Sequence, residues 1–140
     1  MTALSANYAR PSRNLGAKRP YPVNAASVIY AGALVMIDAD GFARPAAALA
    51  SNGGCVGVAT EKVTGGAADG DKWVEVQEGE FLFAGDTLAQ TALVAGIVYA
   101  DDDNTVDETQ ATNCPKAGIV TQYNSASEAW VAVSATNRLL

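Results

Sequence analysis

The 140-residue chain contains no histidine. A Ser-His-Asp or Cys-His nucleophile, a His-liganded metal and a neutral-pH imidazole base are therefore excluded. Cysteine is nearly as scarce. Cys55 and Cys114 match no metal spacing, and with no secretion signal ahead of them they read as ordinary buried thiols. No apolar run approaches the roughly 18 residues that span a bilayer, and the start of the chain lacks a charged segment followed by an apolar one. The expectation is a soluble, cytoplasmically made protein with no membrane partner. Long Leu-rich periodic stretches are missing as well, which argues against a helical bundle.

Apolar residues make up 49% of the chain, but 28 of them are alanine, so the core must be modest. At this length there is room for one compact domain. Fourteen valines and four isoleucines favour strands, where branched side chains pack on a pleated surface.

Charge is unevenly spread. Residues 1–37 hold Arg10, Arg13, Lys18 and Arg19 and no acid, whereas the remainder holds five bases and fifteen acids. The acidic body argues against nucleic acid as a main partner, because phosphate binding needs a clustered basic face. Residues 1–25 show neither helical nor strand periodicity, and Pro11, Pro20 and Pro22 push their predecessors toward extended geometry. The reading is an extended N-terminal arm over 1–25, able to reach on the order of 80 Å when stretched, ahead of a single β domain over 26–140. The arm's mixture of Tyr8, Arg10, Arg13, Lys18, Arg19 and Tyr21 suits docking on a protein surface. A solubilising tail is the plainer alternative.

From residue 26 the pattern turns to short strands, predicted at 28–30, 33–38, 54–60, 72–77, 80–83, 97–100, 118–123 and 128–133. Asp40-Gly41 marks a hairpin turn. Gly85, Asp86 and Thr87 predict the cap of a short helix through Leu93, and the Ala-rich stretch 45–50 allows one helical turn. The fold class is mainly β, a small barrel or sandwich with at most one or two short helical turns.

Two stretches follow one plan. The first carries Ala31-Gly32, a strand to Asp38 and Asp40, Asn52, Cys55, Gly57-Val58-Ala59-Thr60 and Trp73-Val74-Glu75-Val76. The second carries Ala95-Gly96, a strand to Asp101 and Asp103, Asn113, Cys114, Gly118-Ile119-Val120-Thr121 and Trp130-Val131-Ala132-Val133. Either this is the ordinary recurrence of strand and turn, or it is a duplicated hairpin unit whose copies cover each other's apolar faces. Trp73 and Trp130 fall at matching places and read either as plugs of a barrel end or as a contact patch, the plug being favoured.

Catalytic signals are absent. Asp101, Asp102, Asp103, Asp107 and Glu108 form the one candidate metal cluster, but an EF-hand loop begun at Asp101 would want Gly where Val106 stands and Glu where Thr112 stands. The run reads as a solvated turn. Neither NGGCVG nor GGAADGDK is a phosphate-cradling loop. The expectation is a non-enzyme with no catalytic residue, cofactor or metal.

The run GCVGVATEKVTGGAADGDKWVEVQEGEFLFA, and the GDTLAQTALVAGIVYADDDNTVDETQATNCPKAGIVTQYNSASEAWVAVS that follows, resemble the small capsid decoration, or cement, proteins of tailed bacteriophages. The resemblance is strongest over 54–133 and rests on patterns of small and apolar residues. It implies a β domain on the exterior of the virion capsid that binds major capsid protein and stabilises the lattice by bridging its subunits. It also implies self-association, as a homotrimer or a dimer, and an N-terminal arm lying across neighbouring subunits, here Tyr8, Arg10, Arg13, Lys18, Arg19 and Tyr21. A non-catalytic carbohydrate- or ligand-binding β module, using Trp73 or Trp130, is the competing reading.

Overall fold

The computed structural model describes residues 2–136; the last four residues of the expected domain, 137–140, lie outside the described residues. In chain order the elements are β1 (Ser12–Arg13), β2 (Lys18–Pro22), β3 (Val28–Ile29), β4 (Leu34–Ile37), β5 (Ala43–Pro45), β6 (Cys55–Ala59), β7 (Val63–Thr64), β8 (Trp73–Gln77) and β9 (Gly79–Gly85). A one-turn α1 (Ala92–Ala95) follows, then β10 (Ile97–Ala100), β11 (Thr105–Asp107), β12 (Lys116–Ser125) and β13 (Glu128–Val133). The protein is mainly β. No helix among the described residues is long and apolar enough to cross a membrane.

The strands form two five-membered units with the same topology. In the second, β9-β11-β10-β12-β13 returns to β9 and closes a barrel. In the first, the sheet order is β2-β8-β6-β4-β5, and a single parallel bridge between Val23 and Ala43 brings its two edges together. The correspondence is β2 to β9, β4 to β10, β5 to β11, β6 to β12 and β8 to β13. Every pairing is antiparallel except β9 with β11 and its counterpart, the Val23–Ala43 bridge, which are parallel.

The register agrees residue by residue. Leu34 opposite Val58 and Val35 opposite Gly57 precede a bulge before Met36 meets Cys55. Ile97 opposite Ile119 and Val98 opposite Gly118 precede the same bulge before Tyr99 meets Lys116. Both glycines are required by close approach. A Cβ on Gly57 would lie 2.6 Å from the Gln77 carbonyl oxygen, and one on Gly118 would overlap that of Ala132, the residue equivalent to Gln77. The repeat seen in the sequence is thus a repeat of the fold, with each copy a closed barrel rather than a hairpin.

Alternation builds the cores. Val35, Ile37, Ala43, Val56, Val74 and Val76 fill the first barrel. Phe83, Val98, Ala100, Val106, Ala129 and Val131 belong to the second, and this cluster continues into Leu34, Met36, Cys55 and Val58 of the first. β4 is therefore buried on both faces, which is why LVMI shows no alternation.

Two expectations are corrected here. The helix predicted through Leu93 is confined to Ala92–Ala95, because Thr87 sits at φ 54°, outside helical backbone, and Thr91 offers no side-chain cap; residues 45–50 form no helix. The division into an arm over 1–25 and a domain over 26–140 also fails, since β1 pairs with β9 and β2 with β8. The three-residue β11 covers only the Ala84–Gly85 end of its edge of β9, and β1 occupies the Glu80–Phe81 stretch.

Candidate functional site

The leading segment crosses from one barrel to the other, and its cations find partners within the molecule. Arg10 is buried: its Nε donates to the Gly32 carbonyl (2.7 Å), Nη1 to the Leu82 carbonyl (2.7 Å) and Nη2 to Asn104 Oδ1 (2.8 Å). Its guanidinium lies 4.3 Å from the Phe83 ring centre and 5.0 Å from that of Tyr8. Burial lowers its pKa to about 10, against the pull of Tyr8, Asp103 and Asp102. Gly32 precedes the first barrel's β4 and Leu82 lies on the second barrel's β9, so this side chain joins the two units.

The other cations line a strip of glutamates. Arg13 pairs with Glu80 at 2.6 Å and stacks 4.0 Å over Trp130. Its bond holds the Glu80 carboxyl below the usual range, outweighing the effect of burial. Arg19 pairs with Glu78, and Lys18 stands 3.9 Å from Glu75. Tyr21 packs half-buried against the first core, and Tyr8 remains 44% exposed. Leu4 donates its amide to Asp103 Oδ1 at 2.8 Å, so residues 2–13 lie as a strap across the junction. The six residues expected to form a reaching arm are thus held on the molecule, with the acids at 75, 78 and 80 supplying the countercharge.

The tryptophans are corrected as well. Tyr21 opposite Val74 corresponds to Phe83 opposite Ala129, which sets Trp73 against Glu128 and Trp130 against Glu75, an offset of two residues. Neither plugs a barrel. Trp73 is 57% exposed and Trp130 is half-buried beneath Arg13.

Among the described residues one group of acids is close enough to share a cation: Asp86, Asp101 and Asp107, whose carboxylate oxygens lie within 4.8 Å of one another. The sequence test missed this trio because Asp86 follows β9, in a different segment from the acidic run. Asp86 is exposed and the other two are half-buried, a setting common for carboxylates without an ion. Burial, then the neighbours Asp107, Asp86 and Asp102, raise the Asp101 pKa. Burial raises both thiols, with Asp101 and Asp107 adding to the effect at Cys114. A protonated, enclosed thiol is a poor nucleophile. A cleft of about 590 Å³ opens between residues 51–54 and 110–114, with Tyr99 and Lys116 at its side.

No family model matches the chain, and neither a curated protein nor a solved structure does.

Proposed function

We propose that this chain is a structural, non-catalytic virion protein that binds the outside of an assembled phage capsid and stabilises the lattice by bridging major capsid protein subunits. The observation that carries the reading is the set of large apolar side chains left in solvent on both barrels. Trp73 is 57% exposed on the first, and Val94, 86% exposed, stands beside Leu93 on α1, between β9 and β10 of the second. Bridging requires two contact surfaces on one rigid body, and an aromatic or aliphatic anchor at each is how protein interfaces gain most of their affinity. The absence of histidine and the buried, protonated thiols fit a contact role better than a reaction.

In this reading the protein docks as a preformed block, so it loses little conformational entropy on binding. Self-association as a trimer, or as a dimer, multiplies weak single contacts by about 10² to 10⁴ through effective concentration. Because only the assembled shell presents all the contact surfaces, occupancy stabilises that state by mass action.

The test is copurification with DNA-filled heads and absence from precursor shells, for the native chain and for a Trp73→Asp, Val94→Asp double variant. Both substituted side chains are exposed, so the variant should keep its far-ultraviolet dichroism and lose at least about tenfold in capsid occupancy. Unchanged occupancy of the folded variant would overturn the reading.

A further inference from the structure

The cleft between the barrels is built from equivalent loops. Each ends by accepting a hydrogen bond from the last residue of the first hairpin strand: Ile37 N–H to the Gly54 carbonyl (3.0 Å) and Ala100 N–H to that of Pro115 (2.8 Å). The loops then meet. Leu49 N–H and Asn52 Nδ2 both donate to the Asn113 carbonyl, at 2.9 and 3.2 Å. Of four non-glycine residues with positive φ among the described residues, two line this cleft, Ser51 at 59° and Asn113 at 63°. A serine in that conformation is held at a cost of about 1 kcal/mol, although Gly53 and Gly54 lie within three positions. Strain of this kind concentrates where a surface is shaped for a ligand.

The chemistry of the wall is specific. The hydroxyls of Ser51 and Thr112, the side-chain amide of Asn113, the phenol of Tyr99 and the ammonium of Lys116 make no side-chain hydrogen bond or ion pair with the described residues. No carboxylate lines the cleft, in a chain of net charge −6. Lys116 is the one charged residue on the wall, and across three adjacent strands Tyr99 separates it from Asp107 of the Asp86, Asp101 and Asp107 trio, so an acidic ligand drawn to the ammonium also approaches three carboxylates. Paired donors and acceptors around a flat ring match a sugar, whose hydroxyls need both functions and whose C–H face needs an apolar platform. The volume lies within the small-ligand range of about 300 to 1,000 Å³.

We propose that this inter-barrel cleft binds a neutral saccharide, with Tyr99 as the stacking platform and Ser51, Thr112 and Asn113 as the hydrogen-bonding groups. The site is separate from Trp73 and Val94, so it stands whether or not the capsid reading does.

The experiment is saturation-transfer NMR on the full chain with glucose, galactose, mannose, N-acetylglucosamine and their neutral disaccharides at millimolar concentration, followed by amide shift mapping. The expected result is transfer to at least one sugar, with shifts confined to residues 51–54, 99 and 110–116. Thr112→Ala, on an exposed loop, and Tyr99→Ala should each weaken binding about tenfold, whereas Trp73→Ala should leave it unchanged. Glucuronic acid should bind no tighter than glucose. The proposal is overturned if no sugar shows transfer, if the shifts map to Trp73 or Trp130, if a folded Thr112→Ala variant binds normally, or if the acidic sugar binds better.

Discussion

At the corner where each barrel closes, the two copies place three equivalent side chains and give them opposite electrostatics. The amides of Asn24 and Asp86 donate to the carbonyls of Ala43 and Val106, at 3.0 and 2.9 Å; those of Asp38 and Asp101 donate to Phe42 and Thr105, at 2.8 and 3.0 Å. Arg44 and Asp107 follow on the next strand. The first corner is therefore neutral amide, carboxylate and guanidinium. The second is three carboxylates. Asp38 accepts from Arg44 Nε (2.8 Å) and from the amides of Asp40 (3.0 Å) and Phe42 (2.9 Å), and these bonds outweigh burial and hold its pKa low. Asp101 has no such partner, and burial followed by the like charges of Asp107, Asp86 and Asp102 raises its pKa. The closing backbone bonds are the same in both, so the fold is set by the ladder, and side-chain charge is left free to diverge.

The comparison breaks most severely if the leading segment, which gives a strand to each copy, is removed. Deleting residues 2–20 takes β1 from the second barrel, most of β2 from the first and Arg10 from the junction. The expected outcome is loss of a cooperative thermal transition in circular dichroism. A variant that melts like the native chain would restore this segment to a detachable arm.

Next in size are the paired glycines. Gly57→Ala and Gly118→Ala each force a Cβ against a backbone carbonyl and should each cost about 2 to 4 kcal/mol in urea unfolding. Similar losses confirm that the bulges do the same job; a mild effect at one would separate them.

The smallest effects have opposite signs. Asp38→Asn weakens the bond between a buried carboxylate and the partly exposed Arg44 and should cost about 1 kcal/mol at neutral pH. Asp101→Asn removes a repelling charge and should raise the melting temperature slightly. The sign follows from linkage. Asp38 is held below its ordinary 3.8, so its stabilisation is full above that pH and is lost as pH falls through the folded value. Asp101 lies above 3.8, so its cost is present at neutral pH and disappears as pH falls through its raised value. Melting both variants from pH 7 to pH 3 checks this: the Asp101→Asn gain should vanish below about pH 4, while the Asp38→Asn loss persists to lower pH.

Much of this architecture was legible in the sequence. Gly57-Val58-Ala59-Thr60 and Gly118-Ile119-Val120-Thr121 announced the repeat, because a bulge packed on a carbonyl admits only glycine. The first strand of the first copy was harder to see. KRPYP reads as an extended tail, yet Val23 N–H donates to the Lys72 carbonyl (2.9 Å), so by alternation the amides of Arg19 and Tyr21 also face β8, and the nitrogens of Pro20 and Pro22 face the open edge. The prolines therefore remove no bond from the ladder. The basic end and acidic body read as a device for binding something else, whereas Arg13, Lys18 and Arg19 face Glu80, Glu75 and Glu78 of the same chain. The three acids within WVEVQEGEF, Glu75, Glu78 and Glu80, were the available signal. The trio of Asp86, Asp101 and Asp107, and the cleft, arise from contacts between distant segments, which spacing along the chain does not report.

The pairing of Ser12 with Phe81 also imposes an order on biosynthesis. β1 borders a barrel whose strands are all translated after those of the first. At about 5 to 20 residues per second, the first barrel's strands and β9 are made several seconds before β13 arrives to close the barrel that β1 borders. Until then the nascent chain carries Ser12 and Arg13 with open backbone groups beside a half-finished partner, the interval in which a holding chaperone or a neighbouring nascent chain has its best opportunity to intervene.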